Sequence, residues 1–226
     1  MAQQTTQNDD LRDKLVKYIE DMYTLETQII ETLEKHASEA KAVPEFQTRI
    51  NQHIEESKAQ RDRMEQRLAA YNKKPSSVKG AMGSMVGNVV GAVSGTRPDV
   101  LAMNARDEFA TEHMEIAAYG LLLTTAVAYG DAETARACEQ TLAEEQAMAD
   151  WLQARIPQAA LLSLEQGGIK LPQTALSQGQ NAWRQALHFA QSGASGMSGG
   201  MSGGMTGAGM QGMQSDGMTN NTTTQI

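Results

Sequence analysis

The chain has 226 residues, 40% of them hydrophobic and 20% charged, a balance that suits one water-soluble domain of ordinary size with tails. Its net charge of −8 argues against nucleic acid as the main partner, since a phosphate-binding surface needs clustered Lys and Arg that this sequence spreads thinly, so no nucleic-acid partner is expected. The single cysteine, Cys138, excludes an internal disulfide, and "MAQQTTQNDD" at the N-terminus carries neither a basic nor an apolar run, so a cytoplasmic location without a secretory signal is expected.

Residues 1–9 are polar and are expected to be disordered. After the capping-type "NDD", a 3.6-residue apolar period over about 10–40 (Leu15, Ile19, Met22, Ile29 or Ile30, Leu33) predicts a first helix. A second starts near Val43, with Pro44 in its first turn, and runs to Tyr71 through Phe46, Ile50, Met64 and Leu68.

Residues 73–97 form a glycine-rich crossover, in which Gly83, Gly87, Gly91 and Gly95 recur every four residues. The uncharged run inside it is 17 residues and contains Asn88, short of the roughly 20 apolar residues of a bilayer span, so a membrane role is not expected. A short helix resting its glycine face on the bundle is the soluble use of this pattern.

A third helix opens at "TRPDV", with Thr96 as cap and Pro98 in its first turn, and stops at Gly130. Asp131 caps a fourth, which passes Cys138, Leu142, Met148 and Leu152 and ends at Pro157. Short links within each pair and one long crossover between helices two and three predict an all-α, ferritin-like four-helix bundle over residues 10–157. Residues 158–191 then make a C-terminal extension with one amphipathic helix over 173–191, bearing Leu176, Trp183 and Leu187. Residues 192–226, rich in Gly, Ser and Met, lack large apolar groups and are expected to be a disordered tail. Its recurring methionines suit a linker, a soft Cu(I) or oxidant-scavenging role, or an unnamed tail partner.

Several carboxylates interrupt the apolar stripes, where an unpartnered charge is strongly unfavourable. Glu26 lies within the Leu15–Leu33 stripe and Glu145 between Leu142 and Met148. On the third helix Glu112 and Glu115 are three apart beside Phe109, Ile116 and Tyr119. On the second, His53 and Glu56 are three apart, with Gln60 beyond them, beside the line Ile50, Ser57 and Met64. A pair of divalent cations makes such a cluster tolerable by neutralising carboxylates that otherwise repel and protonate. The competing reading pairs these carboxylates with Arg49, Arg61, Arg63 or Arg106 at the stripe edges.

The segments "HIEESKAQRDRMEQRL", "TEHMEIAAYGLLLTTAVAYGD" and "CEQTLAEEQAMADWL" resemble helices of the YciF-like ferritin-like stress proteins, long classed as a domain of unknown function. The resemblance covers roughly residues 10–156. It implies a ferritin-like bundle, a homodimer, a dinuclear metal site and a link to bacterial stress. Carried over by position, it implies Glu26, His53, Glu56, Glu112, Glu115 and Glu145 as the metal residues, with two divalent ions, Fe or Mn, as cofactors. The Glu-x-x-His pairs of ferritins are not reproduced, because Ala59 follows Glu56 and Met148 follows Glu145 at that spacing. A donor set rich in oxygen and poor in nitrogen favours the harder ions.

Two bound metals about 3.5–4 Å apart imply chemistry with peroxide or dioxygen, catalase-like, peroxidase-like or ferroxidase-like, or metal handling. Tyr23 and Tyr119 are candidate hydrogen-bond donors to the site. His113 points about 100° away from Glu112 around its helix. His36 and His188 have no company and read as surface residues. The rival function is a non-catalytic, stress-associated structural or interaction bundle, and a third is envelope association through residues 80–95 and the 173–191 helix. Convergence of Glu26, Glu56, Glu112 and Glu145 without a basic side chain favours metal, whereas an arginine among them favours the rival.

Overall fold

A computed structural model describes residues 2–75 and 97–197, with side chains over 8–75 and 97–188. All the described elements are helical: α1 (Ala2–Glu39), a short 3-10 turn (Ala40–Ala42), α2 (Pro44–Ala70), α3 (Val100–Tyr129), α4 (Ala132–Gln166) and α5 (Ala175–Met197). The chain divides after Trp183 into a bundle unit and a C-terminal unit from Arg184, whose described part is the end of α5.

The bundle forms because each helix presents apolar residues at 3.6-residue spacing to a shared interior. Leu15, Ile19, Ile29 and Leu33 of α1 meet Phe46, Ile50, Met64 and Leu68 of α2, Tyr119 and Leu122 of α3, and Cys138, Met148 and Leu152 of α4. Burial pushes the Cys138 thiol up to about 12, so it packs as a small apolar group. Leu142 lies at the edge of this stripe and is half-buried.

Contacts between helices set their directions. Tyr119 reaches Glu26 and His36 meets Glu108, so α1 and α3 run antiparallel. Gln60 reaches Glu145 and Arg155 reaches Glu45, so α2 and α4 do too. With α1 and α2 joined by a tight turn, α2 and α3 point the same way. The end of α2 and the start of α3 therefore lie at opposite ends of the bundle, as one long crossover requires. The glycine repeat of that crossover lies outside the described residues, as do residues 198–226 of the expected tail.

Four boundaries differ from expectation. Helix α1 begins at Ala2, inside the nine residues expected to be disordered, because the Gln-rich start holds no Gly or Pro to break it and "NDD" sits within the helix rather than capping it. Asp99, not Thr96, stands at the N-cap of α3, its carboxylate held by Arg97 instead of by a backbone amide, and Pro98 precedes the helix.

Pro157 lies inside α4, which continues to Gln166. A proline there takes no hydrogen bond to the carbonyl four residues back, and the indole of Trp183 donates to that carbonyl, Gln153 O, at 2.8 Å. The extension expected from residue 158 is thus partly the last turns of α4. Helix α5 runs past the expected end at 191, so Ser192–Met197 are helical.

The turn at Gly130–Asp131 matches the sequence. Gly130 takes φ 90°, a left-handed conformation that costs glycine little, and Asp131 caps α4 by accepting from the backbone of Glu133 and Thr134. The same carboxylate takes Arg67 Nη2 at 3.1 Å and the Tyr71 hydroxyl at 2.7 Å, tying the end of α2 to the start of α4.

Burial alone would raise the Asp131 pKa, but the Thr134, Tyr71 and Arg67 contacts hold it at about 2. Its folded-state pKa lies below the ordinary value of about 3.9, so this stabilisation is present above that value and is lost as pH falls toward 2. Asp131→Ala is expected to cost roughly 2–3 kcal/mol at pH 7 in urea denaturation, and much less at pH 2. Among the described residues no helix is long and apolar enough to cross a membrane.

Candidate metal centre

Each of the four bundle helices delivers polar side chains to one level of the interior. Glu26 replaces an apolar residue between Met22 and Ile29 on α1. On α2, His53, Ser57, Gln60 and Met64 follow a helical face at spacings of four, three and four. Glu112, Glu115 and Tyr119 do the same on α3, and Thr141, Glu145 and Met148 on α4. Glu26, His53, Glu115 and Glu145 are 0% exposed and Glu112 is 1% exposed, so water cannot solvate them.

The ligand atoms of His53, Glu112 and Glu145 all lie within 4.8 Å of one another. His53 Nε2 is 3.2 Å from Glu112 Oε1 and 3.8 Å from Glu145 Oε2, in neither case aligned as a hydrogen bond. Glu26 and Glu115 share the electrostatic field of these three. The Tyr119 hydroxyl donates to Glu26 Oε1 at 2.5 Å, and the Gln60 amide donates to Glu145 Oε1. After these bonds, Glu26 Oε2, Glu112 Oε2, Glu145 Oε2, both oxygens of Glu115 and His53 Nε2 are buried without a partner.

Of the six expected residues, His53, Glu112 and Glu145 therefore converge, Glu26 and Glu115 are buried within electrostatic reach of them, and Glu56 stands apart. Three residues along α2 is about 300° of rotation, which leaves Glu56 at the rim of the face that His53 occupies. There it accepts from Arg49 Nη1 at 3.0 Å and Gln52 Nε2 at 2.9 Å, and it meets His53 Nδ1 at 3.1 Å. The arginine-paired reading thus holds for Glu56. A carboxylate only accepts, so Glu56 fixes the proton of His53 on Nδ1 and aims Nε2 at Glu112 and Glu145.

Arg61 pairs with Asp62, Arg106 with Asp107, and Arg63 with Glu144 and Thr141. No arginine ion pair reaches the converging carboxylates among the described residues. The charge of Arg63 is felt at Glu26 only from a distance.

The electrostatics record the crowding. Burial raises Glu26 to about 8, with the Tyr119 hydrogen bond and His53 opposing and Glu112 adding to the rise. Burial, then the neighbouring carboxylates, push Glu115 and Glu145 well above the ordinary range. At His53 burial opposes the charged ring, but Glu112, Glu56 and Glu145 outweigh it and hold the ring protonated well above 6.5. Glu56 is held down at about 2, its partial burial outweighed by His53 and Arg49. Without metal, shared protons are what let these carboxylates coexist.

Tyr119 donates to the site, whereas Tyr23 is half-buried against the core. His113 is exposed and bonds back to Phe109 O. His188 is exposed as expected, but His36 is not a surface residue: it is 3% exposed and meets Glu108 at 2.8 Å. Its signal was the spacing Ile29, Leu33, His36, which continues the apolar stripe. Gln60 carried a similar signal, standing on the line of His53, Ser57 and Met64.

A family model for a domain of unknown function, DUF892, matches residues 10–165. The chain belongs to this family. A solved protein structure from Xanthomonas campestris pv. campestris is 29% identical, with a TM-score of 0.60, and covers 71% of this chain and 99% of that one. The stress protein YciF of E. coli is 25% identical, with a TM-score of 0.53, over 71% of this chain and 98% of that one. A bacterioferritin of Desulfovibrio desulfuricans, described with a diiron site, is 18% identical with a TM-score of 0.54, over 76% of this chain and 90% of that one. At that identity the likeness concerns the fold, and the fold is a ferritin-like helical bundle.

Proposed function

We propose that this DUF892 member is a dimetal-carboxylate protein of bacterial stress defence, cytoplasmic and homodimeric, that handles iron or manganese or acts on peroxide or dioxygen. The observation that carries the reading is the set of unpartnered carboxylate oxygens and one imidazole nitrogen, brought to one buried level from four helices. A structural bundle gains nothing from such groups, since an apolar replacement is neutral or stabilising. Four carboxylates with a neutral histidine carry the charge that two divalent cations balance.

His53, Glu112 and Glu145 would hold one ion, and Glu26 and Glu115 extend the donor set toward a second. Bound iron or manganese supplies redox chemistry toward peroxide or dioxygen. The chain's own residues prepare the place. Glu56 orients His53, Gln60 fixes Glu145, and Tyr119 holds one oxygen of Glu26 while offering a hydroxyl proton beside the centre. Met22, Ile29, Leu122 and Met148 exclude bulk water. Support for self-association is the uncharged run from Ile116 to Tyr129 on α3, which leaves Leu121 62% and Val127 65% exposed.

Elemental mass spectrometry on untagged protein tests the reading. About two iron or manganese ions per chain are expected, lost in a Glu26→Ala, Glu145→Ala double variant, with light scattering on the same samples giving twice the chain mass. A native chain that takes up no metal after anaerobic reconstitution overturns the metal reading and leaves a helical scaffold.

A further inference from the structure

The pair His36–Glu108 has no part in the centre as described, yet it is nearly as deeply buried. Both residues are 3% exposed, and Nδ1 meets Oε1 at 2.8 Å. Burying an ion-pairing couple gains little stability over two apolar residues of the same size, so the pair calls for another explanation.

Its position supplies one. Glu108 precedes Glu112 by four residues on α3, one turn or about 6 Å along the same face. One turn further out, Asn104 donates to Glu39 at 2.7 Å. The seam between α1 and α3 therefore carries a polar series, Glu39–Asn104, His36–Glu108, then Glu112, that descends from the helix ends to the centre. On the far side, the seam between α2 and α4 is closed by Gln60 and Arg63 bonded to Glu144, Glu145 and Thr141.

Between His36–Glu108 and Glu112 lies a cavity of about 10 Å³, bordered by Thr32 and Thr111 as well. That is room for about one water, and a bare divalent cation needs no more. The lining is selective in its chemistry. Thr32 donates its hydroxyl proton to Gln28 O, and Thr111 donates to Asp107 O, so each turns only oxygen lone pairs to its surroundings. Glu108 and Glu112 add carboxylate oxygens, and Glu112 Oε2 has no partner. Ile29 and Leu33 complete a wall that is chiefly apolar, and the two carboxylates set in it repel anions and draw cations.

We infer that the α1–α3 seam is the port through which a divalent cation reaches the His53–Glu112–Glu145 centre, with His36 and Glu108 as its transit ligands. This rests on the metal reading above. The imidazole and carboxylate replace water ligands that the narrow cavity cannot admit, and the ion then passes to Glu112 one turn deeper. Both act in loading alone and have no role once the centre is filled.

The test is stopped-flow uptake of cobalt(II) alone by the full chain, followed by its visible absorbance, with the ions bound at saturation measured separately. Two variants are compared with the native chain: His36→Leu with Glu108→Leu, which removes the transit ligands without stranding a charge, and Thr32→Phe, which fills the cavity and leaves the pair intact. Uptake at least tenfold slower in both, with unchanged stoichiometry, is the expected result. Native uptake rates in either folded variant overturn the port while leaving the metal centre standing. Fewer ions at saturation also overturn it, by making the pair part of the centre itself. A native chain that binds no cobalt overturns the port and the metal reading together.

Discussion

Metal-free Glu115→Leu protein is expected to resist urea better than the metal-free native chain, by roughly 2 kcal/mol at pH 7. Glu115 is fully buried, and neither of its oxygens has a partner, so its carboxyl group contributes a desolvation cost that no hydrogen bond offsets. Leucine has nearly the same volume and adds only apolar contact. Excess iron(II) or manganese should invert the ranking. A ligand at a thousand times its Kd adds about 4 kcal/mol to a native state that binds it, and the variant forfeits much of that gain. A variant less stable than the native chain without metal would mean that Glu115 is engaged by something the fold needs. On the proposed metal reading, the stability given up at this position is what cation binding requires.

The second large effect is the pH dependence of the metal-free protein, which should run opposite to that of most globular domains. Glu26 titrates at about 8 in the folded chain, and Glu115 and Glu145 are also raised, against about 4.3 for an unfolded glutamate. A raised carboxylate binds its proton more tightly in the folded state. Its contribution is therefore complete below the unfolded pKa and declines as pH rises through the folded one. Stability should fall between about pH 4.5 and 8, by up to about 1.4 kcal/mol per pH unit for each carboxylate held protonated. Metal must displace the same protons, so affinity should climb across that interval, about tenfold per unit for each proton released. Urea midpoints at a series of pH values, with and without manganese, measure both trends. A metal-free midpoint that rises steadily toward pH 8 would show that the carboxylates are ionised and paired instead.

Much of this was legible in the sequence because helices repeat. The stripe Leu15–Ile19–Met22–Ile29–Leu33 located the buried face of α1, and Glu26 stood out as a charge where apolar contact was required. Glu112, Glu115 and Glu145 were legible for the same reason. His53 and Glu56 show where periodicity stops helping. Both lie near the inner line of α2, but a difference of about 60° around the axis sends one inward and leaves the other at the rim with Arg49. His36 was misread because its partner Glu108 is 72 residues away in the chain, and no local pattern announces a contact made only after α1 and α3 pack. Pro157 was misread because its rule is local, while the group that satisfies the released carbonyl, the Trp183 indole, arrives from another helix.

The tight turns at Ala40–Ala42 and Gly130–Asp131 make two hairpins, and each carries half of the centre: Glu26 with His53, and Glu112 and Glu115 with Glu145. Each hairpin can form from contacts close in sequence, whereas their docking presses carboxylates together across a long separation in the chain. In the proposed loaded state the cations join the two halves at the place where they would first part. Loading would then act chiefly on how long the folded molecule persists, leaving its shape and its speed of folding nearly unchanged.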